Sequence, residues 1–314
     1  MAIINVEDAY ILDETGAEVD KVTGLFTKDE NTTDAEKAFA QLNIGGGGGG
    51  RNLLDNPFFT IRQRGNGPFS SGYTADRWGI FGGVVTVTLS GSGFSVSASV
   101  GYNIQQRLPA DLASFLNGKV VTLSCIVDGV LYSATGTLDT SGGYQLINTF
   151  GNDRFAFVGG ANPAVIFTHT TASATHSYTV SAVKLELGSV STLANDAPPD
   201  YAEELAKCKY YFERLKATSG YAVFGNGIAI NATNAYIFVP ITPKRTATYT
   251  VSSSGSLQLY DTAGHAITGV TKDYSGAQSL LALYITSTGL TAAANYLFRA
   301  NSDANAYIDI SADI

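Results

Sequence analysis

The chain is short of charge. Asp, Glu, Lys and Arg form 15% of its 314 residues, 27 acidic against 19 basic, for a net charge of −8. Ordinary globular proteins carry about 25%, so the surface is expected to be polar and nearly uncharged. No run of Lys or Arg occurs, and without that electrostatic footprint nucleic-acid binding is not expected. Long apolar runs are missing as well. The best stretch, Val120 to Tyr132, is interrupted by Asp128 and Gly129, short of the ~18 apolar residues that span a bilayer, so membrane insertion is not expected either. The first residues include Glu7 and Asp8 without a basic stretch, so no secretory signal is expected. Two cysteines make no disulfide framework, which fits synthesis in a reducing cytoplasm.

Residues that commonly carry chemistry are equally sparse. Of three histidines, His169 and His176 are seven apart and would face opposite sides of one straight strand. A shared metal would need a turn between them, and no Cys pair or acidic cluster assists. They read as surface or hydrogen-bonding residues, and His265 in Ala263-Gly264-His265 as a turn residue. No Gly-x-Ser-x-Gly elbow is present. Gly91-Ser92-Gly93 reads as a hairpin turn, and Cys125 and Cys208 as small buried hydrophobes. Asp55, Asp76, Asp128, Asp139 and Asp153 could form a sugar-cleaving pair only if the fold gathered them; solvated turn residues are the simpler reading. The glycine run lacks the Lys-Ser/Thr of a phosphate loop. No catalytic residue, metal or cofactor is expected.

Glycine and aromatics are plentiful instead: 34 Gly, 17 Tyr and 16 Phe, with one Trp. Residues 1–26 mix β-branched side chains with acids, too few to build a core, and are expected to need a partner. Thr33-Asp34-Ala35-Glu36 is a capping box. Ala35, Ala38, Phe39 and Leu42 then share a helix face that ends at Asn43-Ile44-Gly45. Gly45 to Gly50 would span about 13 Å as a coil, enough to uncouple the N-terminal segment from the rest of the chain.

Beyond this linker the period is that of strands. Phe94, Val96, Ala98 and Val100 alternate with serines, and Val121, Leu123, Cys125 and Val127 repeat the pattern. Tyr178 to Leu187 changes phase midway, which predicts a bulge. Trp78 reads as a core anchor, with Asp76 and Arg77 as a hydrogen-bonded pair beside it. After Pro198-Pro199 a helix is expected from Asp200 to Leu215. Its residues Tyr201, Leu205, Cys208, Phe212 and Leu215 form a two-heptad seam, to be covered by a neighbouring β domain or by other copies of the chain. Strands resume to the end.

The expected fold is therefore mainly β: residues 1–44 with a short helix, a glycine linker at 45–51, an antiparallel jelly-roll-like β-sandwich at 52–192, a linker and amphipathic helix at 193–216, and a second β-sandwich at 217–314. Sugars are bound by aromatic faces together with neutral hydrogen-bonding groups. Tyr236, Tyr260, Tyr274 and Tyr284 are the candidate stacking residues, although tyrosine is also simply a good strand residue.

Several segments, in order, resemble the tail-fibre and receptor-binding proteins of tailed bacteriophages. They are Asp34 to Gly45, ending in Asn-Ile-Gly; Asn52-Leu53-Leu54-Asp55-Asn56-Pro57-Phe58-Phe59 with Gln63-Arg64-Gly65 and Tyr73 to Trp78; Lys184-Leu185-Glu186-Leu187-Gly188; Asp200 to Tyr211; and Ala306 to Ile314. Arg62 departs from the aromatic that often precedes Gln-Arg-Gly, and the Met-Arg-x-x-Pro pattern appears only loosely around Thr242-Pro243-Lys244-Arg245.

The resemblance implies a non-enzymatic virion protein made in the host cytoplasm. It would be a homotrimer joined through the seam, docked to a tail, collar or capsid protein by residues 1–44. Ile3, Ile4, Val6, Tyr10, Ile11 and Leu12 would make the docking contacts, and host-surface carbohydrate would be the distal partner. Two other roles fit the same segments: a structural or decorating fibre without its own receptor, and a polysaccharide depolymerase.

Overall fold

The computed structural model describes residues 50–91, 93–169, 175–273 and 279–313, and the backbone of 9–12 and 18–22. Ile3, Ile4, Val6, the capping-box helix, Gly45 to Gly49 and Tyr274 lie outside the described residues. Tyr10, Ile11 and Leu12 fall in β1 (Ala9–Leu12), which pairs antiparallel with β2 (Glu18–Val22).

The chain is mainly β, as its alternation predicts. The first unit is a nine-stranded antiparallel sheet of β3 (Gly72–Tyr73), β4 (Gly79–Ser90), β5 (Gly93–Arg107), β6 (Val120–Val127), β7 (Val130–Thr137), β8 (Tyr144–Phe150), β9 (Asp153–Val158), β10 (Ala164–His169) and β11 (His176–Leu187). A helix, Ala110–Leu116, separates β5 from β6. Along the sheet the order is β7-β6-β11-β5-β10-β9-β8, with β4 also paired to β5. The long strand β5 forks: its first half pairs with β11 and its second half with β10. The sheet curls on itself, and Asn148 on β8 donates 3.1 Å to the Leu123 carbonyl on β6.

One face of most of these strands fills the core. Phe94, Val96 and Ala98 are buried, as are Val121, Leu123, Cys125 and Val127, whereas Val100 is exposed beside the fork. Trp78 is an anchor, 1% exposed, with Phe59 edge-on at 5.4 Å and Phe167 at 6.0 Å. The phase change in β11 is a register shift between Val180 and Ala182. Asp76 and Arg77, expected to pair with each other, turn apart instead. Arg77 Nε donates 2.9 Å to Asp55 Oδ2, while Asp76 Oδ2 accepts from Gln63 Nε2 at 2.6 Å. Arg77 has a left-handed φ of 72°, which separates the directions of the two side chains.

Asp200 caps the next helix by accepting from the backbone N–H groups of Ala202 and Glu203. This helix is Tyr201–Lys209, not the predicted run to Leu215. The chain turns at Tyr210 and continues as β12 (Phe212–Lys216), which pairs with β20 (Tyr307–Ser311) and, through it, with β15 (Thr250–Ser254). The heptad seam is therefore not one face. Cys208 and Phe212 are buried within the chain, Leu215 is part-buried against the second core, Leu205 is half-buried, and Tyr201 stands exposed. Cys208 and Phe212 are covered by the protomer and present no surface to another copy.

The remaining strands, β13 (Val223–Ala229), β14 (Asn234–Pro240), β16 (Leu257–Tyr260), β17 (Gly264–Lys272), β18 (Leu280–Ser287) and β19 (Asn295–Ala300), close as a barrel in the order β13-β14-β18-β17-β16-β19. A barrel thus replaces the expected C-terminal sandwich. Closure presses β13 onto β14 so tightly that a Cβ at Gly227 would lie 1.8 Å from the Tyr236 carbonyl oxygen, and one at Gly225 2.3 Å from that of Phe238. Ile237, Val239, Leu283, Ile285 and Phe298 fill the interior, and Ile308 and Ile310 of β20 join the same core.

The two β units meet at a joint built by the loop from Asn52 to Trp78. Asn56 N donates 2.5 Å to the buried Glu204 of the helix. Gln63 bonds both the Phe212 carbonyl (2.7 Å) and the Arg214 N–H (3.1 Å). Arg64 lies 3.3 Å over the Phe212 ring and pairs with Asp313, while Arg77 lies 3.5 Å over Tyr211. Burial pushes the Asp76 carboxyl up to about 6, against the opposing pull of Gln63 and Arg64.

Candidate functional site

Turns at one end of the nine-stranded sheet enclose a cleft of about 310 Å³. One wall is the Asp128-Gly129 turn between β6 and β7, where both residues have left-handed φ, 49° and 81°, as a two-residue hairpin of this type requires. Asp128 is fixed from both ends. Its N–H donates to the Thr179 carbonyl and its Oδ1 accepts from the Thr179 N–H, each at 2.9 Å. The second wall is the Gly151-Asn152 turn between β8 and β9, and the third is Thr175 and Ser177 at the head of β11. Strand alternation puts Tyr132, Phe150 and Tyr178 beneath them. Phe150 packs on Tyr178 at 5.1 Å and on Tyr132 at 5.5 Å.

Behind the cleft a buried polar network fills the fork where β10 and β11 leave β5. Asp153, 5% exposed, accepts from Tyr102 Oη at 2.6 Å and lies 2.7 Å from His176 Nδ1. Tyr102 Oη is 2.7 Å from Tyr178 Oη. Burial, reinforced by the Asp153 hydrogen bond, raises the Tyr102 phenol well above its ordinary value, and burial likewise raises Tyr178. Both remain neutral hydrogen-bonding groups at any ordinary pH.

Of the two readings given to the histidines, surface or hydrogen-bonding, His176 fits the second, 2.7 Å from Asp153. The two histidines sit on successive strands, at the end of β10 and the head of β11, with ring centroids 6.0 Å apart, and His176 is 1% exposed rather than superficial. Among the described residues, no three His, Cys, Asp or Glu side chains gather as metal ligands. Of the five aspartates named from the sequence, Asp128 and Asp153 line the same cleft. Asp55 and Asp76 belong to the joint, and Asp139 binds its own turn through the Ser141 N–H and hydroxyl.

The candidate sugar-stacking tyrosines are only partly brought together. Tyr236 and Tyr284 are cross-strand partners on the outside of the barrel, edge to face at 5.6 Å. The nearby Asp273 carboxylate, also its hydrogen-bond partner, raises the Tyr236 phenol. Tyr260 lies two strands further round, and Arg299 covers its ring at 3.4 Å. Around the first pair the outer face is apolar, with Ile228 and Phe238 each 42% and Leu297 40% exposed.

Sequence reasoning missed the cleft because its walls come from two turns and the head of β11, spread between Asp128 and Ser177. The local signals were the Asp-Gly turn and the Gly-Asn turn before Asp153. No family model, curated protein or solved structure matches this chain.

Proposed function

We propose that the chain is a virion fibre or receptor-binding protein of a tailed bacteriophage, docked through residues 1–44 and recognising host-surface carbohydrate through its β units. The observation that carries this reading is the meeting of the segments on which the resemblance rests. Asn52 Nδ2 donates 2.8 Å to the Val183 carbonyl and Leu53 N–H 2.8 Å to that of Leu185, joining the opening segment to the Lys184-to-Gly188 strand. The same opening segment binds the helix through Glu204, and the last residues through Asp313. Pieces far apart in sequence thus serve one joint, which gives their shared order a physical reason.

The protein acts by display and binding. A homotrimer would multiply weak sugar sites through avidity. With Cys208 and Phe212 of the seam buried within the protomer, the outer barrel row of Ile228, Phe238 and Leu297 is the better surface for self-association.

Binding of the full chain and of a version lacking residues 1–49 to a panel of bacterial strains tests the reading. A receptor-binding protein retains binding after the deletion. A decorating fibre without a receptor binds no strain in either form. The pairing of Asp128 and Asp153 in one cleft favours a depolymerase as the second reading, and reducing ends released from bacterial polysaccharide would establish it over simple binding.

A further inference from the structure

We propose that the cleft between the Asp128 turn, the Asn152 turn and the head of β11 is a subsite for a neutral hexopyranose. This rests on the reading that the β units recognise carbohydrate, and it moves the site from the barrel tyrosines to the first unit.

The lining sets the ligand class. Two acidic residues, Asp128 and the largely buried Asp153, are among those lining the cleft, and no Lys or Arg among the described residues lines it. Ionised carboxylates only accept hydrogen bonds, so the cleft calls for a ligand rich in donors. Sugar hydroxyls are such donors, and O–H to carboxylate bonds are short and strong. A uronic acid, sialic acid or phosphate would add a like charge and supply no donor at that point. Thr175 and Ser177 at the exposed rim can both donate and accept, and so complete the coordination of neighbouring hydroxyls.

Shape and rigidity agree with this assignment. At about 310 Å³ the cleft is at the small end of ligand pockets, matching one ring rather than a long chain. Its base is apolar, formed by the packed rings of Tyr132, Phe150 and Tyr178, against which the C–H side of a pyranose fits. Asp153 accepts on one oxygen from Tyr102, with His176 Nδ1 2.7 Å away, and the Asp128 carboxylate accepts from the Thr179 N–H. Both side chains are therefore fixed before a ligand arrives, which is what an effective site requires.

The test uses the full chain with free methyl glycosides of glucose, galactose and N-acetylglucosamine, and with glucuronic acid, followed by protein NMR titration. At least one neutral glycoside should shift resonances of the β6–β7 and β8–β9 turns, and glucuronic acid should bind no better than about tenfold more weakly. Ser177→Trp, at an exposed position on the rim, crowds the cleft entrance and should lower affinity by about tenfold or more. Thr175→Arg replaces it if that variant does not fold. The pair Tyr236→Ala and Tyr284→Ala on the barrel should change nothing.

Preferential binding of glucuronic acid, or sugar binding unaffected by crowding the cleft entrance, would overturn the subsite. In the second case, loss of binding in the barrel variants would leave carbohydrate recognition standing and relocate it. If neither these sugars nor any bacterial strain is bound, the receptor reading itself fails and the subsite with it.

Discussion

Arg64 Nη2 donates 2.5 Å to Asp313 Oδ2, closing a span of 249 residues, while the same guanidinium lies 3.3 Å above the Phe212 ring. One side chain thereby clamps the loop of the first β unit to both β12 and the end of the chain. Arg64→Ala strands a buried Asp313 and should cost about 3 kcal/mol, with cooperative urea unfolding giving way to two transitions. Arg64→Lys keeps the charge but loses the planar contact with Phe212, and should recover only part of the loss. A double-mutant cycle with Asp313→Ala isolates the pair.

Asp76 makes the joint sensitive to pH. Burial raises its carboxyl from 3.8 to about 6 in the folded chain, so the folded state binds the proton more tightly than the unfolded state. The stabilisation is complete below about pH 4 and is lost as pH rises through about 6, on the order of 2 kcal/mol over that window. Asp76→Asn, which cannot ionise, should flatten this part of the stability profile measured by urea denaturation from pH 4 to 7.

Trp78 carries the first core. Trp78→Ala should destabilise by about 3–5 kcal/mol. Its indole Nε1 is buried without a partner among the described residues, so Trp78→Phe loses volume but no hydrogen bond and should cost much less. Thermal unfolding of the two variants separates these outcomes.

The network behind the cleft predicts a different pattern. Tyr102→Phe removes the donor that holds Asp153 and the partner of Tyr178, leaving a buried carboxylate less satisfied, at a cost of about 1–3 kcal/mol. Calorimetric melting should report that loss, while the β-sheet circular dichroism of the variant stays unchanged.

The exposed row on the barrel gives a prediction about assembly. Phe238→Lys places a charge among Ile228 and Leu297 on the outer face and leaves the barrel interior untouched. Light scattering should find the parent chain as a multimer and this variant shifted towards monomer.

Much of the fold was legible because period-two alternation leaves a local mark. The buried runs Phe94 to Ala98 and Val121 to Val127, the phase change in β11 and the Trp78 anchor all come from short stretches read alone. The helix end was not legible, since Phe212 and Leu215 keep a heptad spacing that a strand also tolerates. The contact of Phe212 with Arg64, a tertiary effect, favours the strand. Barrel closure joins β13 to β19 across the length of the second unit, and its main local trace is the close pair Gly225 and Gly227. The cleft was least legible, because Asp128, Asp153 and Ser177 come from separate strands that only the folded sheet brings together. The sequence offered instead Tyr236, Tyr260, Tyr274 and Tyr284, because an abundance of aromatic residues is visible without the fold.

The most direct test of carbohydrate recognition is binding of the fluorescently labelled full chain to bacterial cells before and after mild periodate oxidation, which cleaves the vicinal diols of surface sugars. A carbohydrate-binding fibre should bind at least one strain and lose that binding on oxidation. Binding that survives oxidation, or no bound strain at all, would contradict it.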